Sequence, residues 1–172
     1  MSIGRRYEDV SVGDVLAELP IALTRTLIVS TAIASRDYQD VHHDHELAQS
    51  RGSEDIFMNI LTTNGLVGRF VTDWTGPTGL IEEVSIRLGA PNYPGDTMVL
   101  TGTVTALGGS GGAARSKRAD GRGSVTIAVR GANSRGDHVT GTVRVALPRQ
   151  GQTLVPVPPP APGSGTTMPQ ER

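Results

Sequence analysis

Asp37 and His42 are the two residues of this sequence whose types and spacing suggest acid–base chemistry. A carboxylate can accept a proton from water, and an imidazole, which titrates near neutral pH, can hold or give one. Five positions is the wrong separation for one face of a helix, where neighbouring side chains lie three or four residues apart. The two groups can meet only if the chain leaves a helix between them. The alternative is that both belong to a helix cap and a solvated loop.

The segments on either side of this pair predict a helix that ends just before Asp37. Residues 27–35 are apolar or small and are typical of a short buried helix, and residues 38–40 predict a turn. Residues 44–50 predict one further helical turn with Asp44 as its N-cap. The sequence therefore predicts the chain reversal that would bring the carboxylate and the imidazole together.

The longest helical pattern covers residues 54–74, where apolar residues recur at helical spacing on a wide face. Ser53 is the predicted N-cap, because acidic residues follow it directly and suit the positive end of a helix dipole. Gly76 and Pro77 are expected to end the helix. An apolar face of this width predicts a largely enclosed helix.

The remaining segments predict antiparallel strands, because apolar and β-branched residues alternate with polar ones. These segments are residues 15–23, 80–88, 97–107, 124–132 and 138–147. Residues 133–137 predict a hairpin loop. Asp137 and His138 lie at its edge and are expected to be surface residues of the turn. The order predicts an α+β hotdog fold, in which an antiparallel sheet wraps around one long central helix.

Composition limits the domain organisation and the classes of function. We expect one domain over residues 1–147, which includes a mobile, Gly-rich, basic connector at 108–123, and a disordered tail at 148–172 that holds seven of the eleven prolines. The chain has no cysteine, and its net charge of −1 does not suggest nucleic-acid binding. No apolar segment is long enough to span a membrane, and no signal peptide is evident, so cytoplasmic residence is expected. Scarce aromatic residues and a single sheet with one helix predict an oligomer.

Two motifs resemble those of the MaoC-like (R)-specific enoyl-CoA hydratases. RDYQDVHHD at 36–44 is similar to the family signature GDxNPxHxD, and PNYPGDT at 91–97 is similar to the family turn PxxPGDT. Asp37, His42 and Asp44 fall on the acidic and histidine positions of the signature. The resemblance covers residues 7–147, and it implies that Asp37 and His42 are the catalytic pair of a hydratase.

Three signature positions depart from the family pattern: the glycine is Arg36, the asparagine is Gln39 and the proline is Asp40. By the same resemblance, Gln39 is expected to orient a water through its amide. In the family a backbone N–H on the central helix contacts the thioester oxygen. The matching position is Asn59, whose N–H and side chain are expected to bind substrate.

One branch of the family is more similar still. RDYQDVHHD, residues 55–77 and GDHVTGTV at 136–143 read like the small catalytic subunit of actinobacterial steroid side-chain enoyl-CoA hydratases. That branch implies hydration of a steroid 2-enoyl-CoA in cholesterol or steroid degradation, with coenzyme A as part of the substrate and no metal or redox cofactor. It also implies pairing with a second MaoC-like hotdog subunit in a heterodimer or heterotetramer; a homodimer is the other possibility.

Three alternatives to a hydratase stay open at this point. A hotdog fold could instead carry an acyl-CoA thioesterase, or the chain could be a non-catalytic subunit of a heteromer. A metal could bind the cluster His42, His43, Asp44 and His45, because alternate residues of an extended chain can chelate. A closed site would also need a tetrahedral ligand arrangement and second-layer support, which spacing alone does not predict.

Overall fold

The computed structural model describes residues 4–108 and 121–152, and one antiparallel sheet lies at its centre. The strands of this described part are β1 (Val15–Ala22), β2 (Leu80–Leu88), β3 (Thr97–Gly108), β4 (Gly123–Asn133) and β5 (Gly136–Leu147). They lie in the order β1-β3-β4-β5-β2, and every neighbouring pair is antiparallel. Each strand lies within two residues of its predicted range, so the predicted sheet is confirmed.

Alternation of side chains gives the sheet one buried face. In β4, Val125, Ile127 and Val129 are buried, whereas the residues between them are partly exposed. Pro20 lies in β1, which is an edge strand, and a proline is tolerated there because its missing N–H interrupts no ladder between two neighbours. The buried face is thus the one that receives the helix.

Three helices complete the described fold: α1 (Arg25–Ala34), α2 (His45–Ser50) and α3 (Ile60–Thr75). The apolar face of α3 buries Val67, Phe70 and Val71 in the core against the sheet. Gly102 makes room for this packing, since a Cβ there would lie 2.9 Å from Cε1 of Phe70. A sheet packed on one central helix is the predicted hotdog arrangement.

The start of α3 differs from the sequence prediction. Ser53 is not its N-cap; the helix begins six residues later than predicted, after Asn59, whose side chain accepts a hydrogen bond from the Thr62 N–H. The residues before it are held extended by other parts of the chain, because the Phe57 N–H donates to Val41 O and the Met58 N–H donates to Asn92 O. These long-range bonds outweigh the local helical pattern.

The N-terminal segment and the first residues of the predicted tail lie side by side. The Tyr7 N–H donates to Pro148 O at 2.9 Å, and the Arg149 guanidinium lies 4.2 Å from the centre of the Tyr7 ring. Residues 148–150 therefore contact the N-terminal segment. Most of the predicted connector, residues 109–120, and the tail from 153 onward lie outside the described residues. Within the described part, no helix is both long and apolar enough to cross a membrane.

Candidate active site

The end of α1 sets the position of Asp37. The Arg36 N–H donates to Ile33 O at 3.0 Å, and the Asp37 N–H donates to Ala32 O at 2.9 Å, which is the hydrogen-bond pattern of a Schellman helix terminus. Arg36 has the left-handed φ of 58° that this terminus requires and that glycine adopts most easily. It stands where the resembling signature has glycine. The turn explains how a carboxylate directly after a helix can face back toward its neighbours.

The His42 ring is fixed by the backbone of the segment before α3. A short 3₁₀ turn (Asp40–His42) carries it, and only 7% of the residue is exposed. Nδ1 lies 2.7 Å from Phe57 O, and because a carbonyl only accepts, Nδ1 must carry the hydrogen. The Phe57 ring packs against the imidazole edge to face at 5.0 Å. The other nitrogen, Nε2, is thereby directed at the site.

Asp37 and His42 meet, as the sequence predicts. Oδ2 of Asp37 lies 3.4 Å from Nε2 of His42. When the imidazole is neutral with its hydrogen on Nδ1, Nε2 is an acceptor, and an ionised carboxylate is an acceptor too. The two cannot then bond directly to each other. A water molecule that donates one hydrogen to each satisfies both, so the geometry suits the binding and deprotonation of water.

Asn59 also bonds to Asp37. Its Nδ2 donates to Asp37 Oδ2 and to Ser35 Oγ, each at 3.0 Å, and its Oδ1 accepts from the Thr62 N–H at 2.9 Å. The residue is 2% exposed. Both amide hydrogens are thus used within the protein, and the predicted contact of Asn59 with substrate stays a prediction. Its backbone N–H remains the predicted donor to a substrate oxygen.

The hydrogen bonds around Asp37 favour its charged form. The bond donated by Asn59 lowers the carboxyl pKa most; partial burial opposes it, and the Gln39 N–H and the nearby His42 add to the lowering. Asp37 is therefore an ionised acceptor at neutral pH. The Gln39 N–H lies 3.4 Å from Asp37 Oδ1, while the side chain of Gln39 is exposed; its predicted role in orienting water stays a prediction.

Two contributors to the site escape sequence reasoning. Ser35 supplies the oxygen that accepts from Asn59, and its own hydroxyl can donate to Thr31 O at 2.8 Å. Phe57 acts through its backbone carbonyl, for which a side-chain motif gives no signal. A serine at a helix end could have been noticed, but it has many ordinary capping roles.

His138 differs from its prediction as a surface turn residue. It is 2% exposed, its Nδ1 lies 2.7 Å from Ala90 O, and its Nε2 lies 2.9 Å from Thr63 Oγ1 on the first turn of α3. Burial lowers its pKa, so the ring is neutral at neutral pH. Only its neighbour Asp137 has the predicted surface position, where it pairs with Arg130.

The candidate metal ligands among residues 42–45 include Asp44 and His45, which make other contacts within the protein. Among residues 4–108 and 121–152, no group of three or more such side chains is placed to hold a metal ion. Asp44 accepts from the Leu47 N–H at 3.0 Å and caps α2, which confirms its predicted capping role. His45 binds Asp55, with Nδ1 2.8 Å from Oδ1.

Known proteins share this fold and much of this sequence. Over 136 residues the chain is 48% identical to the 3-oxo-4,17-pregnadiene-20-carboxyl-CoA hydratase beta subunit of Mycobacterium tuberculosis, which covers 79% of this chain and 95% of that protein. A chain in the crystal structure of the ChsH1–ChsH2 complex from Mycobacterium tuberculosis superposes with a TM-score of 0.69 at 47% identity, over 80% of this chain and 98% of that one. No protein-family model matches the sequence.

A second solved structure broadens the comparison. The MaoC-like dehydratase from Rhodospirillum rubrum superposes with a TM-score of 0.69 at 25% identity, over 87% of this chain and all of that one. Three observations agree: the similarity extends over nearly the full length of a hydratase subunit, the sheet packs on a central helix, and Asp37 and His42 meet in the signature positions. The chain belongs to the MaoC-like hydratase family.

Proposed function

We propose that this chain is the catalytic subunit of an enoyl-CoA hydratase that adds water to the double bond of a steroid side-chain 2-enoyl-CoA. The observation that carries the proposal is the 3.4 Å approach of Asp37 Oδ2 to His42 Nε2 within the family signature. The steroid substrate class is proposed from the name of the 48% identical relative. We further propose that the reaction takes place in the cytoplasm.

The proposed reaction is an addition in which all atoms of water enter the product. A single water molecule donates one of its hydrogens to Asp37 and the other to His42. Asp37 removes a proton as general base while the water oxygen bonds to the β-carbon, and the π electrons of the double bond move onto the thioester oxygen as an enolate. The enolate then collapses and its α-carbon takes up the proton that Asp37 removed from the water, either directly from Asp37 or by way of Nε2 of His42. The change is redox-neutral, so no redox cofactor enters the proposal.

Negative charge on the enolate oxygen needs fixed donors. The start of α3 offers them, because the first N–H groups of a helix have no partner within the helix. The backbone N–H of Asn59 is the predicted donor, and preorganised donors of this kind are worth about 3–4 kcal/mol each in the transition state. The substrate thioester is therefore expected to lie at this helix end, beside Asp37.

The apolar surface around the site supports an apolar acyl group and a partner chain. Four large apolar residues of the segments that carry Asp37 and Asn59 are roughly half exposed or more: Ile33, Tyr38, Ile60 and Leu61. Exposed apolar surface next to a polar site is typical of ligand or subunit contacts. We propose that a second hotdog subunit covers part of it, because the similar Mycobacterium tuberculosis chain belongs to a complex of ChsH1 with ChsH2.

The test is the loss of ultraviolet absorbance of the enoyl thioester, measured with steroid and straight-chain substrates. Asp37→Asn and His42→Ala should each lower kcat/KM by about 10²–10⁴-fold while the protein still folds and assembles. Matched controls are the neighbouring changes Asp40→Asn and His43→Ala, whose side chains are 46% and 39% exposed and which should retain activity. Full activity of either site variant would refute the proposal.

Two further measurements separate the alternatives. Release of free thiol from the substrate would indicate a thioesterase, because a hydratase leaves the thioester bond intact. Co-expression with candidate hotdog partners, compared with the chain alone, should show whether activity and oligomer size require a second chain. Activity of the chain alone as a homodimer would contradict the heteromeric part of the proposal and leave the hydratase part standing.

A further inference from the structure

The side chain of Asn59 has no amide hydrogen left to donate to a ligand. Its two amide hydrogens go to Asp37 Oδ2 and Ser35 Oγ, and its oxygen accepts from the Thr62 N–H at the start of α3. With 2% of its surface exposed, it cannot exchange these partners for water. Three bonds to three different segments make it the point where α1, Asp37 and α3 are joined.

The amide orientation of Asn59 is fixed by the chemistry of its partners. If the oxygen and nitrogen exchanged places, the oxygen would face the Asp37 carboxylate and the NH₂ group would face the Thr62 N–H. The first contact would pair two hydrogen-bond acceptors and the second would pair two donors. Each would leave a buried polar group unsatisfied, at a cost of about 1–3 kcal/mol. Asn59 therefore presents a hydrogen, and only a hydrogen, to Asp37.

Hydrogen bonds of Thr63 and Ser35 hold Asn59 in place. The Thr63 N–H donates to Asn59 O at 3.2 Å, and the Thr63 hydroxyl is tied to the buried His138. On the other side, the Ser35 hydroxyl can donate to Thr31 O, which leaves its lone pairs facing the Asn59 amide. The donor that reaches Asp37 is thus immobilised from two directions.

The bond from Asn59 reaches the same carboxylate oxygen that faces His42. Oδ2 of Asp37 is 3.0 Å from Asn59 Nδ2 and 3.4 Å from His42 Nε2. This bond is the largest cause of the lowered pKa of Asp37. It therefore acts on both properties that a general base needs: the direction of its lone pairs and its protonation state.

We propose that Asn59 is a positioning residue for Asp37, and that its side chain does not bind substrate. This inference rests on the proposed hydratase function for its catalytic consequence, but its effect on Asp37 itself is independent of substrate. Loss of the Asn59 donor should remove one of the two bonds that orient the Asp37 carboxylate and should raise its pKa. The catalytic step should suffer more than substrate binding.

The test uses Asn59→Ser and Asn59→Asp in the full chain with its partner. Serine and aspartate both cap helices about as well as asparagine, so the start of α3 is kept. The serine hydroxyl lies one bond closer to the backbone than the Asn59 Nδ2 that reaches Asp37, and an ionised aspartate has no hydrogen to donate. The control is Asn64→Ser, the same change five residues further along the chain, where the side chain donates to Ile60 O. Melting temperatures show that each variant is folded.

In Asn59→Ser, kcat should fall by about 10–100-fold while KM changes by less than about threefold. The acidic limb of the kcat/KM profile should move to higher pH, and in Asn59→Asp it should move further, because a second carboxylate faces Asp37. Carboxyl ¹³C NMR without substrate should show that the pKa of Asp37 rises in the same order, from the unmodified protein to Asn59→Ser to Asn59→Asp. Asn64→Ser should match the unmodified protein in all three measurements.

Two results would overturn the positioning role. One is a raised KM at unchanged kcat, which is the signature of a substrate ligand. The other is an Asp37 titration that Asn59→Ser leaves unchanged in a folded protein. Absence of hydration in the unmodified complex would instead defeat the proposed function, and the NMR titration would still decide the role of Asn59.

Discussion

Replacing Thr63 with valine should leave the buried Nε2 of His138 without a hydrogen-bond donor and should measurably destabilise the protein. Nδ1 of His138 must carry the ring hydrogen, because its partner is the Ala90 carbonyl oxygen at 2.7 Å. The neutral ring then has Nε2 as an acceptor, and the Thr63 hydroxyl at 2.9 Å is its donor. Valine has the shape of threonine without the hydroxyl, and both residues are almost completely buried.

The expected cost follows from leaving one buried acceptor unsatisfied, which is about 1–3 kcal/mol. For a chain of this length, that corresponds to a melting temperature lower by about 2–12 °C. Thr72→Val is the matched control on the exposed face of α3, where the hydroxyl bonds only to Arg69 O. That variant should stay within about 0.5 kcal/mol of the parent protein.

A double-mutant cycle with His138→Phe isolates the interaction. In the phenylalanine background Nε2 is absent, so Thr63→Val should cost less than it does in the parent by about 1–2 kcal/mol. Chemical denaturation monitored by circular dichroism gives the four free energies of unfolding. Additive losses would refute the assigned hydrogen bond, since the two changes would then act independently.

The same histidine predicts how stability depends on pH. Burial lowers the pKa of His138 below its ordinary 6.5, so the unfolded chain takes up a proton before the folded one does as the pH falls. The stability associated with the neutral ring is complete above about pH 6.5 and decreases as the pH falls below it. His138→Phe should lose less stability than the parent between about pH 7.5 and pH 5.5. Equal losses in both proteins would contradict the buried neutral ring.

Substitutions at three further positions test how local geometry supports the fold, each by thermal unfolding. Gly141→Ala should cost at least about 1–3 kcal/mol, because a Cβ there would lie 2.1 Å from the Ser85 carbonyl oxygen on β2; an unchanged melting temperature would show that β2 and β5 can separate freely. Arg36→Val should cost about 1–2 kcal/mol because a β-branched residue is disfavoured at φ 58°, whereas Arg36→Gly should cost less; the reverse order would contradict the helix terminus described here. Asp44→Ala should remove the N-cap of α2 at a cost of about 1 kcal/mol, and no change would mean that α2 is held by packing alone.

Local patterns in the sequence predict the sheet and the meeting of Asp37 with His42. Side-chain alternation in a strand is a property of neighbouring residues, so the strands appear in the sequence almost at their observed limits. The turn out of α1 is similarly local. The five-residue separation of Asp37 and His42 is explained once the chain reverses at Arg36.

The start of α3 and the burial of His138 depend on distant partners, and local patterns did not predict them. Ser53 followed by two acidic residues reads as a good N-cap, yet Asn59 is one as well. Bonds from Phe57 and Met58 to remote carbonyls decide between the two. His138 lies beside a hairpin turn in sequence, but its ring bonds to Ala90 and α3, which no neighbouring residue indicates.

The pairing of Tyr7 with Pro148 brings two positions that are 141 residues apart in sequence to within one hydrogen bond. A short flexible peptide could therefore connect them without distorting the sheet, and new ends could be opened at the exposed Ser134–Arg135 turn between β4 and β5. A circularly permuted chain of this kind should keep the order of its strands in space. Fusion partners joined directly at Tyr7 and Pro148 would emerge from the same side of the domain.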